Sequence, residues 1–246
     1  MPLFGTLELA GAAAAAPVMP SLDTAPLLVE EATVVQAAYE IDSVATQSSL
    51  PSALHATNPP TLSLMAMRVA DSPIGPISMA EVRIGCRCGG VPRNFLVGAI
   101  VAEAAAAEAL SSRWGYRCLP GTVAISVRAD RTEVVVGAEH GEVLRFSLMD
   151  PRPLAAADVW YGGNVNLAST PRGVRLVHVE PTITIRRADR GTTRIDHFDP
   201  GAFGDPLIRA THPILASVAV ADVTFPALKV LNQPDVPPPL GVELIE

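Results

Sequence analysis

Thr61-Leu62-Ser63-Leu64-Met65-Ala66-Met67-Arg68-Val69 alternates with a period of two, and this predicts a β-strand. Asp71-Ser72-Pro73-Ile74-Gly75-Pro76 follows as a turn. Ile77–Cys88 is a second strand, Gly89-Gly90 reverses the chain, and residues 94–101 form a third. Three consecutive strands on short turns set the theme for the chain. Upstream, residues 29–42 suit a strand, and residues 48–54 a short helical turn or loop. Downstream, one clear helix spans residues 103–113. It is rich in alanine, with Glu103 at its start and Arg113 at its end, in keeping with the helix dipole. Beyond Pro120-Gly121 come Thr122–Val127, Arg131–Ala138 and residues 142–148, 165–167, 174–187 and 214–224 as further strands.

A dozen short strands and one main short helix predict a mainly β (α+β) chain, an antiparallel sheet rolled into a barrel or cone. Residues 1–27 read as an apolar N-terminal arm, 28–230 as a single domain, and 231–246 as a Pro-rich tail in which residues 233–239 are extended but outside the sheet. The arm suits packing against a second subunit, so a homo-oligomer is expected.

Composition narrows the function classes. The net charge is −7 and the 17 arginines are scattered, so no basic stripe is available to neutralise phosphates; nucleic acid is not an expected partner. No apolar run reaches transmembrane length and no basic segment precedes the alanine run at 12–16, so a cytoplasmic protein without membrane contact is expected. Cys86, Cys88 and Cys118 are too few for a disulfide framework. The five histidines are dispersed and form no metal spacing. Neither a phosphate loop, a dinucleotide fingerprint nor a nucleophile elbow is present. The expectation is an enzyme without metal or cofactor. His178, with Glu180 at the same strand parity, is a weaker polar candidate.

Several segments, in order, resemble the acetoacetate decarboxylase superfamily. Ser49-Leu50-Pro51-Ser52-Ala53-Leu54 is similar to the turn after its first strand, and Met79-Ala80-Glu81-Val82 to the strand that carries its active-site glutamate. The helix followed by Arg113-Trp114-Gly115-Tyr116 is similar to its active-site segment. Residues 173–177 and 219–224 resemble later strands, so the likeness covers roughly residues 28–230.

The resemblance implies a cone-like β fold and an apolar cavity. In that family a lysine attacks a ketone to form a Schiff base, a glutamate handles protons, and an N-terminal arginine meets the substrate carboxylate. Here Arg117 stands where proline is usual, Cys118 where the nucleophilic lysine is usual, and Leu119 where a second lysine is usual. No arginine precedes Arg68, and the only lysine is Lys229. The covalent route is therefore not expected.

The residues that remain suit acid–base work. Glu81 lies in an apolar stretch, where burial raises a carboxyl pKa. Arg83 shares its parity and so its face of the strand. Glu81, Tyr116 and Arg83 are the candidate catalytic residues; Arg68, Trp114, Arg117 and Cys118 are the candidate substrate-binding residues. The expected activity is lyase-like, on a small or apolar carbonyl or keto-acid substrate: hydration or dehydration, retro-aldol cleavage, isomerisation or cyclisation. The alternative is a non-catalytic protein that binds an apolar small molecule in the same cavity.

Overall fold

A computed structural model describes residues 3–245. The alternation at Thr61–Val69 is strand β3 of the fifteen among the described residues. Before it come β1 (Leu27–Ile41) and β2 (His55–Ala56); after it β4 (Ile77–Cys88), β5 (Val91–Val101), β6 (Cys118–Pro120) and β7 (Thr122–Val127). Next are β8 (Arg131–Ala138), β9 (Gly141–Leu154), β10 (Asn164–Thr170), β11 (Gly173–Val179), β12 (Thr182–Phe198) and β13 (Ala210–Phe225). Short strands β14 (Val230–Asn232) and β15 (Val242–Leu244) close the chain.

All belong to one sheet, whose main path runs β15-β14-β11-β10-β5-β4-β3-β1-β13-β12-β9-β8-β7. The mainly β class expected from the sequence is observed, with two differences. First, the sheet is mixed, because β5 pairs in parallel with both β10 and β6. Second, it is rolled but open: β7 curls back against β3, β4 and β5 without pairing to them. Residues 174–187 are two strands rather than one, since Pro181 has no N–H to donate to a ladder. Residues 233–239 lie outside the sheet as expected, yet β14 and β15 flank them and pair.

Helices are more numerous than expected. The helix predicted at 103–113 is α3 (Ala104–Trp114); α1 (Leu9–Ala14) lies in the arm and α2 (Ser43–Ser49) precedes the Leu50-Pro51 turn. The Glu8 and Asp42 carboxylates accept the first free N–H groups of α1 and α2, the standard remedy for unpaired helix donors. Among the described residues, no helix is long and apolar enough to cross a membrane.

Strand alternation divides the apolar side chains into two cores. Leu62, Leu64 and Ala66 of β3 join Ala80, Val82 and Ile84 of β4 on one face, packed against Val134, Phe146 and Leu148 of the curled strands. Met67 and Met79 lie on the other face with Leu96, Ala99, Val177 and Phe225, covered by Ala106, Leu110 and Trp114 of α3 and by Met19 of the arm. A bulge in β5 sets the register between them. Val82 pairs with Gly98 and Arg83 with Leu96, leaving Val97 without a partner. That extra residue keeps Asn94, Leu96 and Ala99 all on the second face.

Candidate functional site

Three buried strands carry a polar network into the second core. Glu81 and Arg83 of β4 are each 1% exposed, and Asn164 at the start of β10 is 3% exposed. Period-two geometry puts Glu81 and Arg83 on the face shared with Met79, so the parity argument from the sequence describes the arrangement found. Ser63 stands opposite Arg83 in the register, and Met65 opposite Glu81.

Asn164 is the hub. Its Nδ2 donates to Glu81 Oε2 at 2.9 Å and to the Tyr116 hydroxyl oxygen at 3.2 Å. Its Oδ1 accepts from Arg83 Nη1 at 3.2 Å. Arg83 Nη2 donates to Ser63 Oγ at 2.8 Å, which also accepts from Gln36 Nε2 at 3.2 Å. Arg83 Nη1 lies 3.7 Å from Glu81 Oε2, so the two charges offset one another without a direct hydrogen bond. Arg83 Nε and Gln36 Oε1 are buried with no partner. Nearby, the Tyr161 and Ser217 hydroxyls are 3.4 Å apart.

Burial sets the electrostatics. It raises the Glu81 carboxyl above its ordinary range, against the opposing pull of Arg83 and Asn164. Burial, joined by the Glu81 charge, lifts the Tyr116 phenol well above its ordinary value, so it remains a neutral O–H donor. Because the Tyr116 oxygen already accepts from Asn164, its proton is free to point at another acceptor. The site therefore combines a carboxyl of raised pKa, a neutral phenolic donor and a guanidinium in a water-poor setting.

The backbone at the end of α3 delivers Tyr116. Gly115 takes the left-handed conformation at φ 67°. Its N–H bonds to the Ser111 carbonyl and that of Tyr116 to the Leu110 carbonyl, closing the helix with a left-handed glycine cap. A Cβ on Gly115 would stand 2.8 Å from that of Ala168, so both the turn and the close approach require glycine. Strand β6 then runs beside β5, and Cys118 pairs with Ala99, which itself pairs with Glu81. Cys118 is thus one strand beyond Ala99 in the row that carries Glu81, and it packs on the second core. Burial pushes its thiol up to about 11, partly offset by the Ser111 hydroxyl, which disfavours a thiolate.

Three other sequence candidates lie elsewhere. Arg68 has the parity of Leu64 and Ala66 and so leaves the opposite face of β3, where Nη1 donates to the Ile125 carbonyl at 2.9 Å. Arg117 points away from Tyr116 and Cys118, toward Gly204 and the Val97 carbonyl. Trp114 is fully buried; its indole N–H donates to the Pro226 carbonyl at 2.8 Å and its ring packs on Phe225. It is a core residue, as its place at the end of α3 dictates. His178 is buried at the first core with neither ring nitrogen hydrogen-bonded, while Glu180 pairs with Arg93 instead.

Sequence reasoning missed Asn164, Ser63 and Gln36. The available signal was Asn164-Val165-Asn166, in which two amides share one face at the start of a buried strand. Lys229, the only lysine, is exposed beside β14. Among the described residues no group of three His, Cys, Asp or Glu is placed to hold a metal ion.

No protein-family model matches the sequence, and no curated protein matches it. Solved structures do. A structure of acetoacetate decarboxylase superposes with a TM-score of 0.73 at 18% identity, over 90% of this chain and 89% of that one. Acetoacetate decarboxylase from Legionella pneumophila gives 0.72 at 16% identity, over 91% and 88%. The enduracididine biosynthesis enzyme MppR gives 0.65 at 16% identity, over 93% and 96%; it was solved with the condensation product of pyruvate and imidazole 4-carboxaldehyde bound. The chain has the acetoacetate decarboxylase-like fold.

Proposed function

We propose that this chain is a lyase-type enzyme that moves protons on a small carbonyl or keto-acid substrate without forming a Schiff base. The observation that supports it most is the Asn164 bridge, which joins a buried carboxyl of raised pKa to a buried phenol. In this reading Glu81 takes or returns a proton at the carbon next to the carbonyl. Tyr116 donates its free O–H to the carbonyl oxygen, where negative charge develops. Arg83 holds Asn164 in place and offsets the Glu81 charge. Dehydration, retro-aldol cleavage, isomerisation and cyclisation all pass through such an enol-like state. That MppR was solved with a pyruvate condensation product is in keeping with an aldol-type reaction on this fold.

The absence of a lysine from the polar network argues against the imine route, since Lys229 is exposed beside β14. The test is deuterium exchange at the methyl group of pyruvate, followed by NMR. The native protein is expected to accelerate exchange, Glu81→Gln to abolish it, and Tyr116→Phe to slow it about 10²-fold. Exchange that persists in Glu81→Gln would remove Glu81 from the chemistry. A purely ligand-binding protein, the second reading, draws on the apolar cavity beneath α1; it predicts no exchange in any variant.

A further inference from the structure

A cavity of about 230 Å³ lies beneath the N-terminal arm, on the side of β5 and β10 opposite the Glu81 network. Much of its wall is apolar: Leu7, Ala12, Ala16, Phe95, Val97 and Leu167. Two charged side chains, Arg117 and Asp205, both half-buried, line it as well.

Arg117 lies across the backbone of Gly204, where a Cβ would stand 2.2 Å from Nη1. Its one protein acceptor is the Val97 carbonyl, at 3.5 Å. Asp205 follows Gly204 directly. Its carboxylate accepts from the Ser49 hydroxyl and from the Leu207 N–H at 3.0 Å, which fixes its orientation while leaving lone pairs free. Neither residue joins an ion pair among the described residues. One cation and one anion, both adjoining Gly204 and joined in no ion pair at the edge of an apolar cavity, match a ligand that carries both charges on one end and an apolar chain on the other.

We propose that this cavity binds an apolar α-amino acid. Its carboxylate meets Arg117, its ammonium meets Asp205, and its side chain fills the space under α1. Size agrees: an engineered cavity of ~150 Å³ takes up benzene's six carbons, so 230 Å³ suits about nine heavy atoms, the size of leucine. The site does not depend on the proposed lyase activity, because none of Glu81, Arg83, Tyr116 or Asn164 lines it.

Calorimetric titration of the full chain with L-leucine tests the proposal. Saturable binding is expected, with 4-methylpentanoate and 3-methylbutylamine each at least about tenfold weaker, since each lacks one charge. Arg117→Gln and Asp205→Asn should each weaken L-leucine by about tenfold. Ala12→Phe, which fills the cavity without touching either charge, should abolish binding, and Glu81→Gln should leave it unchanged. No binding of L-leucine to the native chain would overturn the proposal. So would equal affinity for leucine and 4-methylpentanoate, or binding that survives Ala12→Phe.

Discussion

Arg83 determines which way Asn164 faces. A guanidinium only donates, so the amide oxygen of Asn164 must turn toward Arg83 Nη1, 3.2 Å away, and its NH₂ must then turn toward Glu81 and Tyr116. Both amide hydrogens are thereby committed. The Glu81 carboxyl receives a donor, the Tyr116 oxygen receives another, and the Tyr116 proton is left over. A single residue pair thus decides the donor pattern of the whole site.

Removing the hub should show as a change in pH dependence as well as in rate. Asn164→Ala takes one donor from the Glu81 carboxylate and leaves Arg83 Nη1 short of an acceptor. Proton exchange is expected to fall about 10²-fold. The acid limb of the pH profile should also move upward, because the ionised carboxylate loses a hydrogen bond. A rate loss with an unmoved profile would assign Asn164 to folding alone.

The raised Glu81 pKa predicts a specific trend in stability. Its folded-state value lies above the unfolded reference of 4.5, so the native state holds that proton more tightly. The corresponding stability is fully present below pH 4.5 and is lost as pH rises through the folded value. Melting curves of the native chain and of Glu81→Gln, run in parallel, should therefore diverge above pH 4.5, with the native chain falling relative to the variant. A gap constant with pH would contradict the buried carboxyl.

His178 predicts the opposite trend. Burial lowers its pKa from 6.5 to about 4, so it stays neutral in the folded chain. The stability tied to that neutrality is complete above pH 6.5 and is lost as pH falls toward 4; the full loss is about 3 kcal/mol. His178→Leu should flatten the acid side of the stability profile between those values. If both proteins lose stability in parallel there, another group is responsible.

Cys118 offers a test of the proposal that no imine forms. It lies in the Glu81 row, one strand beyond Ala99, among apolar neighbours that would lower a lysine's pKa. Cys118→Lys, treated with pyruvate and then borohydride, is expected to give a reduced adduct at residue 118 by mass spectrometry. The native chain should give none. An adduct at Lys229 in the native chain would restore the covalent mechanism.

Much of this was legible in the sequence because it is local. Period-two alternation located β3, turn signals bounded β4, β7 and β8 to the residue, and strand parity placed Glu81 and Arg83 on one face. The same parity, applied to β3, separates Arg68 from Ser63, Met65 and Met67; applied to the segment that leads into β6, it separates Arg117 from Tyr116 and Cys118. What the chain hides is long range. Asn164 is 83 residues from Glu81, and it reaches the site only because β10 pairs in parallel with β5, a contact no local pattern encodes. The open, mixed sheet was hidden for the same reason: whether a rolled sheet closes depends on pairing between distant edges. Trp114 was misplaced because one aromatic at a helix end serves a core and a cavity wall equally well.

The unpaired Val97 has a consequence for how this chain can change over time. Deleting that one codon would leave Leu96 and Gly98 adjacent and still opposite Arg83 and Val82, so every other residue of β5 keeps its face. Deleting a paired residue with the bulge retained is different, because every residue on one side of the gap then exchanges faces with its neighbour. Variation in length within β5 is therefore expected at Val97 alone, with the paired residues on either side held fixed in number.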